Sequence, residues 1–363
     1  MDKTETEAEQ IKKASMLFIL GHGRSGTTLL QSFLNSHPNI VAPAEYEFIV
    51  HFYPRFGKIK HLTKKDITEF IEALYTSEDP HFFNWQLDKE HVTEKLISTS
   101  VNEDYPTLCK ILISLTADNK TEIRILSDKN PINSIFVRKL SNIFPDAKFI
   151  HLIRDPRDSV YGYMRRLQQK NPFFLSRRWK RYNQVIDDFK GKFPERFFTL
   201  KYEDMVKNTD GTLNSIAAFL NITPNGFNKD YTPPEGYESS DGNQYYQNLP
   251  SDKREAVISN MKLAHENLST PVNTSHIAKW KKEMNSHAVA VTEIITGKFA
   301  KKYGYEIEPR KIPGVSVSKY RLLKSKIVFY LWGKFTRWRY NNYHYNTKYK
   351  IKSVRKIINN MVK

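Results

Sequence analysis

MLFILGHGRSGTTLLQSFLNSHP, Met16 to Pro38, runs an apolar strand into a glycine-rich turn and on into a helix. Met16 to Leu20 is a short apolar run of the kind a parallel sheet buries on both faces. Gly21, Gly23 and Gly26 free the backbone to turn its N–H groups around an anion, and the helix starting at Thr27 aims its positive end at the same place. The spacing of Gly21 and Gly26 copies the Walker A loop, but Thr27 stands where that loop needs its lysine. An ordinary ATP or GTP hydrolase is therefore disfavoured. The missing positive charge returns inside the loop as Arg24, whose planar fork takes two oxygens of one tetrahedral anion. Arg24 followed by Ser25, Gly26, Thr27 and Thr28 suits a phosphosulfate better than a magnesium triphosphate.

Further segments extend the pattern. ILSDKNPINS (Ile125 to Ser134) reads as a strand that places Lys129 at its end and is stopped by Pro131. FPDAKFIHLIRDPRDSVYGYMRR (Phe144 to Arg166) reads as a strand, an Arg-Asp-Pro turn and a helix. LKYEDMV (Leu200 to Val206), TPVNTSHIAKW (Thr270 to Trp280) and KKYGYE (Lys301 to Glu306) follow. In this order the motifs resemble those of the sulfotransferases that use 3′-phosphoadenosine 5′-phosphosulfate (PAPS), and the resemblance spans about residues 15 to 307. It implies an α/β fold of the P-loop, nucleotide-kinase-like sulfotransferase type, a parallel sheet flanked by helices. The implied reaction moves a sulfuryl group from PAPS to an acceptor hydroxyl and leaves 3′-phosphoadenosine 5′-phosphate.

The resemblance also implies roles for particular residues. In the tyrosylprotein branch a catalytic glutamate follows the loop arginine after the first helix and a His-Pro turn. Counting from Arg24 through His37 and Pro38 reaches Glu45 without a gap. Glu47 faces the same way if the segment is extended and is the rival base. Lys129 takes the position of the lysine at the leaving group, Arg24 with Gly23, Ser25, Gly26, Thr27 and Thr28 forms the donor cradle, and Arg154 takes the 3′-phosphate. The family's serine eight residues after that arginine is Gly162 here, so Ser159, Arg166 or the Gly162 backbone is expected to complete that subsite. Tyr202, Lys279 and Trp280 match positions near the nucleotide, although Tyr202 and Trp280 read equally well as core. His22, His37 and His51 copy no histidine-base context and read as loop or capping residues. No metal is required: the transferred group carries less charge than a phosphoryl group, and no metal-ligand cluster is evident.

The chain has 363 residues, 39% of them hydrophobic, enough for a real core. Cys109, alone of its kind, excludes an intramolecular disulfide and reads as a small buried hydrophobe. Residues 310–363 carry 15 basic and no acidic residues, leaving 42 of the 57 Lys and Arg against all 39 Asp and Glu elsewhere. The formal +18 thus belongs mostly to one tail, and nucleic-acid binding by the body loses its main support. The first 14 residues lack the apolar centre of a signal peptide, and the longest apolar run, IVFYLW (Ile327 to Trp332), is far too short to span a membrane. A cytoplasmic enzyme is expected, peripheral at the inner membrane face if its tail binds there.

Strand patterns at Ile123 to Leu126 and Lys148 to Ile153 alternate with helical ones at Ile67 to Tyr75 and Tyr105 to Ala117. Three regions are expected: a flexible lead-in (1–14), the catalytic domain (15–309) and a basic helical extension (310–363). Tyr231 to Asn248 reads as a long loop, either a lid or a surface connection. In the extension, Leu323, Ile327, Leu331, Phe335 and Trp338 recur at helical spacing among basic residues, and Ile351, Val354, Ile358 and Met361 repeat the pattern. Such a tail docks on the body or on a second copy, binds an anionic membrane, or meets nucleic acid or a polyanionic acceptor. The acceptor is expected to be a lipophilic small molecule such as a sterol or lipid, or a glycan. The competing readings are a variant P-loop nucleotide kinase or NTPase, against which the missing lysine counts, and a non-catalytic basic adaptor.

Overall fold

In a computed structural model of the protein, residues 7–76, 82, 84–117, 120, 122–166, 170–229, 272–307 and 316–342 are described. Five parallel strands, β1 (Ser15–Leu20), β2 (Ile40–Val41), β3 (Ile125–Lys129), β4 (Lys148–Ile153) and β5 (Phe197–Lys201), form one sheet in the order β2-β3-β1-β4-β5. The helices in chain order are α1 (Glu7–Lys13), α2 (Thr27–Ser36), α3 (Phe48–Phe56), α4 (Lys64–Tyr75), α5 (Lys89–Ser100), α6 (Tyr105–Ser114) and α7 (Val137–Ile143). They continue with α8 (Pro156–Arg166), α9 (Pro172–Lys190), α10 (Tyr202–Lys207), α11 (Thr209–Leu220), α12 (Trp280–Glu283), α13 (Ser286–Ala300) and α14 (Lys319–Asn341).

The central strand β1 is buried on both faces because its alternate residues feed different cores. Phe18 and Leu20 join the cluster containing Leu126, Phe144 and Phe149, with the Phe18 ring 5.7 Å from each of those two phenylalanines. Leu17 and Ile19 join Leu30, Leu34, Ile150 and Leu200 on the other side. Because every strand is parallel, all five carboxyl ends open on one edge, and the chain builds β2 and β3 on one side of β1 before crossing to β4 and β5 on the other. That is the crevice where α/β sheets take their ligands.

The strand expected at Lys148 to Ile153 is β4 itself, whereas the one expected at Ile123 starts two residues later and runs on to Lys129. The helix expected to reach Ala117 ends at Ser114. Helix α4 starts where a capping box forms, Thr63 accepting from the Asp66 N–H while Asp66 accepts from that of Thr63.

Both ends of the chain carry a helix that packs on the body. Glu7–Lys13 is a helix and not a flexible lead-in: Ile11 and Ala14 are buried in the main core, and Lys110 Nζ donates to the Lys12 carbonyl at 2.7 Å. One apolar anchor in a polar stretch leaves no period to read, so the pattern missed it. At the other end α14 lies on the body against α3 and α9, with Tyr340 only 2% exposed and counted in the same core. The second basic helix expected around Ile351 to Met361 and the loop Tyr231 to Asn248 lie outside the described residues.

The turn after β1 depends on glycine at its first position. Gly21 has φ +155°, and a Cβ there would overlap the Leu152 carbonyl oxygen on β4, a backbone atom with no freedom to yield. Gly21→Ala is therefore expected to destabilise the fold by roughly 2–4 kcal/mol, read from urea or thermal unfolding, with β1 and β4 forced apart.

Candidate active site

Each strand end delivers a group to the shared edge: Arg24 after β1, Glu45 after β2, Lys129 at the end of β3, Arg154 after β4 and Tyr202 after β5. The loop after β1 is packed from behind at its glycines. A Cβ on Gly23 would overlap the Tyr163 hydroxyl, and one on Gly26 would overlap the Tyr202 ring. Ser134 Oγ fixes the entry, accepting from the Gly21 N–H at 2.9 Å and donating to its carbonyl at 3.0 Å. Gly26, with φ +90°, is the residue before α2 and offers no side-chain cap, so the first-turn N–H groups of that helix point at the loop without an intrahelical partner.

Lys129 is the buried cation of the site. Its side chain is 4% exposed, its Nζ donates to Glu45 Oε2 at 2.9 Å and lies 3.5 Å from Thr28 Oγ1 on the first turn of α2. Glu45 itself is 38% exposed, so one carboxylate links a buried ammonium to solvent. The neighbouring Asp128 points the other way along the strand, as alternation demands, and accepts from Asn130 Nδ2 at 2.9 Å and Asn133 Nδ2 at 2.6 Å. Burial pushes its carboxyl up to about 7. Glu47 does not share the Glu45 direction. It accepts from Arg339 at 3.2 Å and from the Tyr340 hydroxyl, both on α14.

Arg154 reaches across the loop, donating from Nη1 to the Arg24 carbonyl at 3.0 Å and from Nη2 to the His276 carbonyl at 2.5 Å. Its guanidinium stacks 4.2 Å above the Tyr202 ring, so Tyr202 is both core and part of the site wall. The distant segment around His276 is stitched to the β4 turn by Asp158, which accepts from the Ala278 N–H at 2.7 Å and the Trp280 N–H at 2.9 Å. Behind it Arg157 pairs with Asp155 at 2.7 Å and Glu293 at 3.0 Å and stacks on Trp280 at 3.9 Å. Trp280 thus braces the turn, while Lys279 pairs with Glu283 at 3.4 Å.

Ser159 is fully buried beneath the loop, where its hydroxyl bonds His22 Nδ1 at 2.8 Å and the Gly23 carbonyl at 3.2 Å. It supports the loop in this geometry and does not line its open side. Gly162 has a different reason to lack a side chain: a Cβ there would stand 3.3 Å from Arg24 Cβ, so glycine gives the arginine stem its room. The Arg166 side chain lies outside the described residues. Of the histidines, His22 is buried and held neutral by burial and by Arg178, His37 caps α2 and bonds the Thr223 carbonyl at 2.9 Å, and burial pushes His51 down to about 3.

Sequence reading missed Arg178, which enters the site from α9. Its guanidinium donates to the Tyr163 hydroxyl and lies 4.5 Å from that ring and 5.4 Å from Tyr182. Burial works against its charge, but the two tyrosines and Glu45 outweigh burial and raise its pKa. Nothing in the sequence separates it from its neighbour Arg177, which turns to α14 instead. Among the described residues no cluster of His, Cys, Asp or Glu could hold a metal ion, and no helix is long and apolar enough to cross a membrane.

A sequence profile described as the sulfotransferase family matches residues 16–225. The chain belongs to the sulfotransferase family. It is 22% identical over 275 residues to protein-tyrosine sulfotransferase 1 of Danio rerio, a match covering 74% of this chain and 66% of that one. It is 24% identical over 265 residues to an omega-hydroxy-beta-dihydromenaquinone-9 sulfotransferase of Mycobacterium tuberculosis, covering 59% of this chain and 65% of that one. The chain therefore spans about two thirds of the length of these relatives. The sulfotransferase domain of a Synechococcus olefin synthase has a similar fold, with TM-score 0.51 at 19% identity over 82% of this chain and 97% of that one.

In this member of the sulfotransferase family the buried Asp128 has a measurable signature. Its carboxyl ionises near 7 in the fold and near 4 in an unfolded chain, so the native state holds the proton more tightly. Stability is then expected to fall as pH rises from about 4 to about 7, by at most about 1.4 kcal/mol per pH unit, and to level off above. Urea unfolding across that range should show this fall in the wild type and lose it in Asp128→Asn.

Proposed function

We propose that the chain transfers a sulfuryl group from PAPS to the hydroxyl of a lipophilic acceptor or a glycan, with Glu45 as the base. The observation that carries the reading is the contact of Lys129 with both Glu45 and Thr28, which puts a buried cation between the base and the phosphate loop. The loop also fits an anionic donor by what it leaves unsatisfied. Ser25 Oγ and Arg154 Nε are buried hydrogen-bonding atoms without a protein partner. Such atoms are costly unless a ligand completes them.

As the acceptor oxygen bonds to sulfur, its proton passes to Glu45 and the bond from sulfur to the bridging phosphate oxygen breaks. Negative charge then grows on the departing 3′-phosphoadenosine 5′-phosphate, and in this reading Lys129, Arg24 and the first turn of α2 offset it. Arg154, resting on Tyr202, is assigned to the 3′-phosphate. Two observations favour Glu45 over Glu47 as base: it contacts Lys129, and Glu47 is occupied by α14. A kinase or NTPase reading has neither a Walker lysine nor, among the described residues, a cluster of magnesium-binding carboxylates to support it.

Glu45→Gln is expected to cut turnover by about 10²- to 10⁴-fold with the cognate acceptor while changing affinity for 3′-phosphoadenosine 5′-phosphate little. Lys129→Ala should lose turnover as well. Near-normal turnover in Glu45→Gln would move the base elsewhere. In calorimetry the wild type should bind 3′-phosphoadenosine 5′-phosphate far more tightly than adenosine 5′-phosphate, and Arg154→Ala should erase most of that difference. Equal affinities in the wild type would overturn the assignment of Arg154.

A further inference from the structure

Helix α14 has two apolar faces, and the body covers only one. On the covered side Arg177 donates to the Leu322 carbonyl at 2.7 Å and to Ser325 at 2.8 Å. Phe174 meets Phe329 and Trp332 edge-on, and Tyr340 closes over Phe136. On the opposite side Tyr320, Leu323, Ile327, Tyr330, Leu331 and Trp338 remain 47% to 72% exposed. They make up six of the nine large hydrophobic residues exposed among those described, all on one 23-residue helix. The stripe that the sequence marks out through Leu323, Ile327, Leu331 and Trp338 is thus the one that faces away from the protein. Phe335, expected in the same stripe, is only partly exposed.

The chemistry around this stripe selects its partner. Lys319, Lys324, Lys326, Lys334 and Arg337 are all exposed beside it, and the helix contains no Asp or Glu. A second copy packed on the same face would set these cations against one another with no carboxylate in either helix to balance them. A nucleic acid would meet the charge but leave leucine, isoleucine and tryptophan in water. A lipid surface takes both, since apolar and aromatic side chains enter the acyl boundary while lysine stems reach up to acidic headgroups.

We propose that the outer face of α14 seats the protein on an anionic lipid bilayer, with the helix axis in the membrane plane. Its last turn then holds the site at that surface, because Tyr340 and Arg339 grip Glu47, two residues from Glu45. A membrane-borne alcohol is the acceptor this placement fits, a step that rests on the sulfuryl-transfer reading, whereas the seating does not.

Co-sedimentation of the full chain with vesicles of phosphatidylcholine and phosphatidylglycerol tests the seating directly. The wild type is expected to pellet, less so as salt rises, and far less with phosphatidylcholine alone. Ile327→Glu/Leu331→Glu should weaken binding at least about tenfold, with thermal unfolding unchanged because both side chains are exposed. Failure of the wild type to pellet, or equal pelleting of the variant, overturns the proposal. A dimer that the variant splits, seen without vesicle binding, would assign the face to a second copy instead. Vesicle binding is read without turnover, so intact binding with no sulfuryl transfer would count against the catalytic reading alone.

Discussion

The site exists because three positions in the loop after β1 have no room for a side chain. Gly21 is pressed against the backbone of β4, Gly23 against the Tyr163 hydroxyl and Gly26 against the Tyr202 ring. Each contact comes from a different element, so the loop is clamped by β4, α8 and α10 together. With its path fixed this tightly, the loop holds its shape without the help of a ligand. Such preorganisation is what an anion site needs if charge is to be met as it develops.

Charge is layered around that clamp. Nearest the loop are three cations: Arg154 donates to two backbone carbonyls, Lys129 pairs with Glu45, and Arg178 lies against two tyrosines. One layer back, Arg157, Asp155 and Glu293 neutralise one another, and Glu203 accepts from the Asp155 N–H at 2.9 Å and from the Tyr305 hydroxyl at 2.8 Å. The inner layer is left positive and the outer one is balanced. Two motifs far apart in sequence, LKYEDMV and KKYGYE, turn out to be joined by that Glu203–Tyr305 bond.

What the sequence made legible was whatever follows from local pattern. Apolar runs located β1 and β4, and the glycine spacing located the loop. Strand alternation separated Lys129 from Asp128, whose hydrogen bonds do run to opposite sides. What it hid depends on contacts between distant segments. Glu45 and Glu47 are equivalent by parity along an extended segment, and only the contact with Lys129 and the arrival of α14 tell them apart. Ser159 is one turn from Gly162 on the helix, yet its hydroxyl is taken by His22 and Gly23 from the loop after β1, more than a hundred residues earlier. The apolar residues of α14 recur on two sides, and a sequence has no means of stating which side the body occupies.

Tyr340 carries a consequence for where this chain can be cut. The recognisable motifs end near residue 307, and a boundary drawn there looks natural on paper. Such a cut removes the ring that packs 4.9 Å from Phe136 and lies edge-on to His51, together with the hydroxyl and guanidinium that occupy Glu47. The remnant keeps every motif but has a hole in its largest core, and Glu47, two residues from Glu45, loses its partners on α14. The unit that shares ancestry and the unit that fills its own interior therefore have different ends, and a fragment that keeps this packing has to run past Tyr340.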